Sequence, residues 1–277
     1  MTKDITIVAV DTYAHELTRC AIERTLEVLP CREVLVFSDK NFYPDGRWVD
    51  INPVDIVGYN TMMVKHLWPF VRTEHILVVQ YDGLAVNTNQ WTDDFLNYDY
   101  IGAIWPWNHH PPEYKVGNGG FSLRSRRLLD ACKNHDMTLT NKLPMYEDLY
   151  ICVHYKKYLE GQGIKYADIA TAQKFSHEHH PGHRDTFGFH GTFNVPYYLD
   201  DKYCEKFVEL MPSWTSEGVL LMVAHCFQSG KFDLGLKCIE LGRKKSDQFD
   251  AMLRQVLSQH ASQFSGEQFQ TIYQYLK

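Results

Sequence analysis

The stretch His75-Ile76-Leu77-Val78-Val79-Gln80-Tyr81-Asp82-Gly83 decides how this chain reads. Ile76 to Val79 is continuously apolar and mostly β-branched, the signature of a strand buried on both faces, as in a parallel sheet covered by helices. A carboxylate placed just after such a strand projects into the crevice at the carboxyl ends of the strands, where open α/β sheets bind ligands. Gly83 beside it lets another group approach the backbone closely. Hard divalent cations take oxygen ligands and usually retain phosphate oxygens and water. Asp82 is therefore a candidate metal ligand, and its structural alternative is an aspartate that caps the next turn.

Working outward, the N-terminal third alternates strand and helix signals. Ile5 to Val10 and Glu33 to Ser38 read as buried strands; His15 to Leu29, closed by Pro30, and Thr61 to Val71 read as helices. Strand-helix alternation of this kind predicts a parallel sheet flanked by helices. Further on, Tyr98 to Ile104 reads as a strand, and Ser125 to Asn134 and Glu147 to Glu160 as helices. Ala172 to Tyr198, rich in His and aromatics with little periodicity, reads as ordered loop around a site. Composition shifts near residue 200. This divides the chain into an α/β domain over 1–200 and a helical region over 201–277. The window Glu217 to Asp247 spaces its small and apolar residues like one tetratricopeptide unit. A plain helical cap is the favoured reading over a peptide-binding surface, since solenoids need several stacked units.

The bulk numbers narrow the class. A formal net charge of -6 in 277 residues gives no global basic field toward nucleic acid or anionic lipid. The 7 cysteines are scattered without a CxxC pair, which offers neither a zinc knuckle nor a thioredoxin-type motif. Together with the lack of a signal-like segment, they point to reduced thiols in a cytoplasmic protein. No stretch reaches the roughly 18 apolar residues of a transmembrane helix.

Three further motifs carry chemistry. Val116-Gly117-Asn118-Gly119-Gly120-Phe121-Ser122-Leu123-Arg124 is glycine-dense without the Gly-Lys-Ser/Thr of a phosphate loop. It suits a backbone that approaches a polyhydroxylated ligand, or else a turn with no ligand. Tyr146-Glu147-Asp148-Leu149-Tyr150 places two carboxylates at a helix start, favoured by the helix dipole alone and also suited to a general base. In Phe187-Gly188-Phe189-His190-Gly191, a His between glycines has room to turn inward and bind a metal through a neutral nitrogen. The nearby His177, His179, His180 and His183 match no standard zinc spacing, and a polar loop lining a cleft is the preferred reading.

The order QYDG, VGNGGFSLRSRRLL, YEDLYIC, FGFHG resembles the DUF5672 family, a family of uncharacterised proteins assigned to the GT-A glycosyltransferase fold. The resemblance spans residues 5 to 195. It implies an α/β GT-A fold (nucleotide-diphospho-sugar transferase, Rossmann-like) with a C-terminal helical extension, a nucleotide-sugar donor such as a UDP-sugar, and a divalent cation, Mn2+ or Mg2+. On that resemblance Gln80-Tyr81-Asp82 takes the place of the DxD motif, with Asp82 and His190 as metal ligands and Gln80 where the first Asp is expected. Gln80 cannot contribute charge, which weakens metal binding or turns this residue toward the ribose. Asp148 is then the base of an inverting transfer, with Glu147 as runner-up. Asn118, Gly119 and Gly120 face the donor sugar or acceptor; Asp11, Thr12 and Tyr13 contact the nucleobase; Lys65 reaches the pyrophosphate.

Two other classes compete. A nucleotidyltransferase also sets carboxylates and a metal at strand ends, but would usually carry a glycine-rich basic loop after the first strand, which Val10 to His15 is not. A catalytically degenerate GT-A scaffold, with the C-terminal helices as a protein-binding surface, is kept open by Gln80. The acceptor is open among a glycan, a small molecule, a protein and a modified base. The aromatic loop with Trp105, Trp107, His109, His110 and Tyr114 is its candidate stacking surface.

Overall fold

Apolar strands alternating with helices build a six-stranded sheet in this computed structural model, which describes residues 2–106, 111–134, 146–179, 185–263 and 265–276. In chain order its elements are β1 (Lys3–Val10), α1 (His15–Val28), β2 (Cys31–Ser38), β3 (Arg47–Asp50), α2 (Ile56–Thr61) and β4 (His75–Val78). After the three-residue β5 (Gly83–Ala85) follow β6 (Tyr100–Ile101), β7 (Ser122–Ser125) and α3 (Arg126–Asn134). The strand order is β3-β2-β1-β4-β7-β6. Strands β1 to β4 run parallel, and β7 pairs antiparallel with β4 through Leu77↔Leu123. Ile76, Leu77 and Val78 are at most 1% exposed, and each such side chain contributes roughly 1.5–3 kcal/mol by leaving water. The fold is therefore the α/β class expected, with a mostly parallel sheet.

The chain divides into two compact units, Met1–His190 and Gly191–Lys277. The first unit continues through α4 (Glu147–Leu149), α5 (Lys156–Gly161), α6 (Ile169–Phe175), β8 (Ser176–His177) and β9 (Gly188–His190). A second, three-stranded sheet has the order β5-β9-β8. The His-rich stretch expected as loop thus contains, among its described residues, the end of a helix, two strands, a 3₁₀ turn over Thr192–Asn194 and the short helix Val195–Tyr198. These strands are too short to give a period-2 signal, and their backbone groups are satisfied by pairing of β9 with distant β5 on one side and with β8 on the other. His180 and His183 lie outside the described residues, as do Trp107, His109 and His110.

Two of the four helices expected in this unit are interrupted, while His15–Val28 and Arg126–Asn134 are continuous. The segment expected as Thr61 to Val71 is the end of α2, a π-turn over Met62–His66 and a 3₁₀ turn over Trp68–Phe70. Pro69 lacks the N–H that would continue a helix. The Glu147 to Glu160 segment is split by a second π-turn, Tyr150–His154. Of the strand expected over Tyr98 to Ile104, only Tyr100–Ile101 pairs regularly, and Ile104 forms an isolated bridge with Val116.

The second unit is helical: α7 (Val195–Tyr198), α8 (Asp201–Leu210), α9 (Glu217–Gln228), α10 (Phe232–Lys245), α11 (Phe249–Gln259) and α12 (Gly266–Tyr275). Every residue of α9 from Val219 to Ala224 is buried, which makes it the central helix of this unit. The window spaced like a tetratricopeptide unit is the α9–α10 hairpin. Among the described residues all seven cysteines are free, and no helix is long and apolar enough to cross a membrane.

Candidate functional site

From β1 the chain moves outward through β2 and β3, then returns to the other side of β1 for β4. The carboxyl ends of β1 and β4 therefore form the topological switch point, where open α/β sheets bind ligands. A cavity of about 290 Å³ opens there. Its walls come from Val10 to Tyr13 at the end of β1, Thr18 of α1, Val79 to Tyr81 after β4, and Val54, Asp55, Ile56 and Tyr59 around the start of α2. Mostly apolar walls with a few polar groups are what a flat heterocycle requires.

Two polar atoms of the lining residues have no hydrogen-bond partner within the protein, Asp11 Oδ2 and Thr18 Oγ1. The other oxygen of Asp11 accepts from the N–H groups of Tyr13 and Ala14, which fixes the carboxylate at the entry to α1. Thr12 Oγ1 accepts from Val54 N and ties the two loops together. Tyr13 is 58% exposed, an aromatic face at the cavity rim. Asp11, Thr12, Tyr13 and Gln80 thus share one cavity. Lys65, expected at the pyrophosphate, does not line it: its Nζ donates to the carbonyl of Cys132 on α3, at 3.0 Å. A cation on a helix was legible, but its direction was not.

Beside the cavity, the two sheets bring Asp82 and His190 together. Gly83 in β5 is the register partner of His190 in β9, so the residue before Gly83 meets the imidazole. His190 Nε2 lies 3.2 Å from Gln80 Oε1 and 3.7 Å from Asp82 Oδ1. Gln80 is oriented by its own amide, which donates to Tyr59 Oη at 2.6 Å and so turns Oε1 toward the imidazole. On the other side of the ring, Nδ1 donates to Glu178 Oε1 at 2.9 Å. Burial works against the charged form of His190, but Asp82 and Glu178 outweigh it and raise the pKa to about 9. For Glu178, burial is opposed by the hydrogen bond from His190, the charges of His190 and His179 and a hydrogen bond with Asn118, which together hold its pKa below the usual range.

The glycine-rich loop runs against this pair. A Cβ on Gly120 would sit 2.1 Å from His190 Nε2, so only glycine lets the imidazole lie on that backbone. Asn118 has φ 44°, in the left-handed region where Asn is the side chain most readily accepted after Gly. Gly119 is clamped at both ends of its peptide unit. Its N–H donates to Asp148 Oδ2 at 2.9 Å, and its carbonyl accepts from Arg124 Nη2 and Ser122 Oγ.

The two adjacent acids of the Glu-Asp motif have separate positions. Glu147, the runner-up base, has both carboxylate oxygens occupied by Arg124, at 2.7 and 2.8 Å, and is 3% exposed. It is one half of a buried ion pair. Asp148 is held by the N–H groups of Gly119 and Leu149. Burial first, and the negative charge of Glu147 second, push its pKa up to about 7. A carboxylate poised near neutrality suits general base chemistry.

Among the described residues no group of three or more His, Cys, Asp or Glu is arranged to hold a metal. A cation at this point would have Asp82 and His190 as its charged and imidazole ligands and the Gln80 carbonyl as a neutral neighbour. These residues fit such a group: two donor atoms from the turn between β4 and β5 and one from β9 converge, against a glycine backbone that leaves room. Glu178, Thr18, Tyr59 and Arg124 were not singled out in the sequence. None of the four carries a local sequence signal: even Arg124 lies in the short polar strand Ser122-Leu123-Arg124-Ser125.

Residues 50–190, just over half of the chain, match the family model "Protein of unknown function (DUF5672)". No curated protein matches. Among solved structures, the bifunctional IspDF from Campylobacter jejuni aligns at 9% identity and TM-score 0.37 over 60% of this chain, which spans half the length of that protein. A glycosyltransferase involved in glycosylation of the major capsid of PBCV-1 aligns at 15% identity and TM-score 0.44, covering 74% of this chain and 98% of the other. The mannosyltransferase PcManGT from Pyrobaculum calidifontis, in complex with GDP-Man and Mn2+, aligns at 10% identity and TM-score 0.40, covering 99% and 79%.

Proposed function

The chain belongs to the DUF5672 family, and from the site it carries we propose that it is a glycosyltransferase moving a sugar from a nucleoside diphosphate, UDP in the first instance, to an acceptor hydroxyl. The observation that carries this reading is the convergence of Asp82 and His190 beside a switch-point cavity holding two unpartnered polar atoms, Asp11 Oδ2 and Thr18 Oγ1. The apolar walls and Tyr13 take the base, and Asp11 accepts a hydrogen bond from one of its N–H groups. Asp82 and His190 would hold a divalent cation, Mn2+ or Mg2+, which would supply positive charge against the leaving diphosphate. Gln80, fixed by Tyr59, presents its carbonyl to the same point.

Asp148 accepts the proton of the acceptor hydroxyl, and Gly119, whose N–H it binds, keeps that carboxylate oriented. Attack assisted by a base on the face opposite the leaving diphosphate inverts the anomeric carbon. The glycine-rich loop holds both partners in line by presenting backbone rather than side chains. The test is calorimetric titration with UDP and GDP, with and without Mn2+, followed by a nucleotide-release screen over the common nucleotide sugars. Nucleotide binding indifferent to Mn2+, with no release from any donor, would identify the domain as a scaffold instead.

A further inference from the structure

We propose that Glu178 is a positioning residue for the cation site, fixing His190 so that Nε2 rather than Nδ1 is delivered toward Asp82; the inference rests on the metal-dependent reading above. Glu178 directly follows β8, whose parallel register with β9 runs Ser176↔Gly188 and His177↔Phe189. The next step of that register sets residue 178 against residue 190. There Glu178, only 9% exposed, takes the Nδ1 proton at 2.9 Å.

An imidazole that ligates through Nε2 must carry its proton on Nδ1. A carboxylate acceptor at Nδ1 selects that tautomer, fixes the ring and raises the basicity of the ligating nitrogen. The ring itself lies on glycine backbone: Cβ atoms on Gly120 and Gly83 would fall 2.1 Å from Nε2 and 3.1 Å from Cδ2. Those glycines set where the ring lies, and the hydrogen bond at Nδ1 sets which nitrogen faces Asp82. Asn118, whose Nδ2 is 3.1 Å from the same Nδ1, also hydrogen-bonds Glu178 and couples the glycine-rich loop to this acceptor.

The experiment measures Mn2+ binding by the electron paramagnetic resonance signal of the free ion, with Mn2+ alone and with UDP present. Wild type is compared with Glu178→Met, which fills the volume without an acceptor, and Glu178→Gln, which keeps an acceptor oxygen. Glu178→Met is expected to weaken Mn2+ binding by about 10–100-fold, the usual effect of losing such a partner, in a protein whose far-UV circular dichroism shows it folded. Glu178→Gln recovers part of that loss. The directly bonded ¹⁴N coupling to Mn2+, present in wild type, weakens in Glu178→Met, which a merely structural role would not cause. Equal Mn2+ affinity in wild type and Glu178→Met overturns the inference and leaves the metal site standing. Absence of Mn2+ uptake by wild type, with or without UDP, instead overturns the metal reading and this inference with it. If Glu178→Met does not fold, Glu178→Gln decides: unchanged affinity and unchanged ¹⁴N coupling there count against Glu178.

Discussion

Replacing Arg124 by Met should unfold the first unit far more readily, and the cost can be worked from its contacts. Arg124 is 0% exposed and makes four hydrogen bonds: two to Glu147, one to the Gly119 carbonyl and one to Ser122 Oγ. Without it the Gly119 carbonyl keeps Ser122 Oγ at 2.9 Å, and Ser122 is otherwise undisturbed. The Glu147 carboxylate, however, is left buried with no counter-charge. Breaking a buried pair in this way costs about 3–5 kcal/mol. For a unit of this size that lowers the melting temperature by about 6–20 °C. Removing the orphaned charge as well, in Arg124→Met/Glu147→Leu, should recover most of the loss, because Glu147 contributes its backbone N–H to Asn60 whatever its side chain. Guanidinium unfolding followed by tryptophan fluorescence measures both variants, with a second transition fitted where the two units unfold separately. A loss under about 1 kcal/mol in the single variant, or a double variant as unstable as the single, would refute the assignment of the cost to an uncompensated Glu147.

The site assignments give further expectations. Gly120→Ala should abolish Mn2+-dependent nucleotide binding with little change in far-UV circular dichroism, because its Cβ falls 2.1 Å from His190 Nε2; calorimetry with UDP and Mn2+ checks it. Asp82→Ala should stop nucleotide release from the donor while the fold is retained, and full release would remove Asp82 from the mechanism. Asp148→Asn should still bind donor but transfer about 100-fold more slowly or worse, the usual scale of a lost general base. Transfer at the wild-type rate in that variant would place the base elsewhere. The pH dependence follows from Asp148, whose pKa is pushed up to about 7. The base must be ionised, so the transfer rate should rise with pH through an apparent pKa near 7. Glu147→Gln removes the negative neighbour and moves that limb to lower pH, and an unmoved limb would detach the rate from Asp148. The sign for stability is opposite. Below the unfolded pKa near 4 the group is protonated in both states, and as pH rises toward 7 the native state alone must retain the proton, so its contribution to stability falls.

Much of the first unit was legible because its strands are buried on both faces. Continuous runs such as Ile76 to Val79 admit little else, and a carboxylate after such a run marks the crevice. Of the residues that the motif order points to, Asp11, Thr12, Tyr13 and Gln80 line one cavity. What local pattern could not give was direction. Lys65 sits on a helix that looks able to face the cleft, yet a π-turn over Met62–His66 shifts the helical phase, and its ammonium finds Cys132 on α3. Glu147 and Asp148 are indistinguishable as letters. Their roles separate only because Arg124, on a strand more than twenty residues earlier, takes both oxygens of one and leaves the other to backbone donors.

Glu178 shows why the remainder was hidden. Its strand neighbour β8 is two residues long, far below the length at which alternation identifies a strand. It stands in a run of histidines that drew attention to imidazoles rather than to the carboxylate among them. Its partner is set by a parallel register with β9, which exists only because β9 is also paired to β5. The same three-stranded sheet that carries His190 to Asp82 therefore carries Glu178 to His190. Gln80 belongs to the same logic: where a second carboxylate would be expected, an amide held by Tyr59 offers a neutral oxygen. The negative charge absent from that position is instead present on the far side of the imidazole, as Glu178. The site's charge is thus distributed around His190, with Asp82 on one side of the ring and Glu178 on the other.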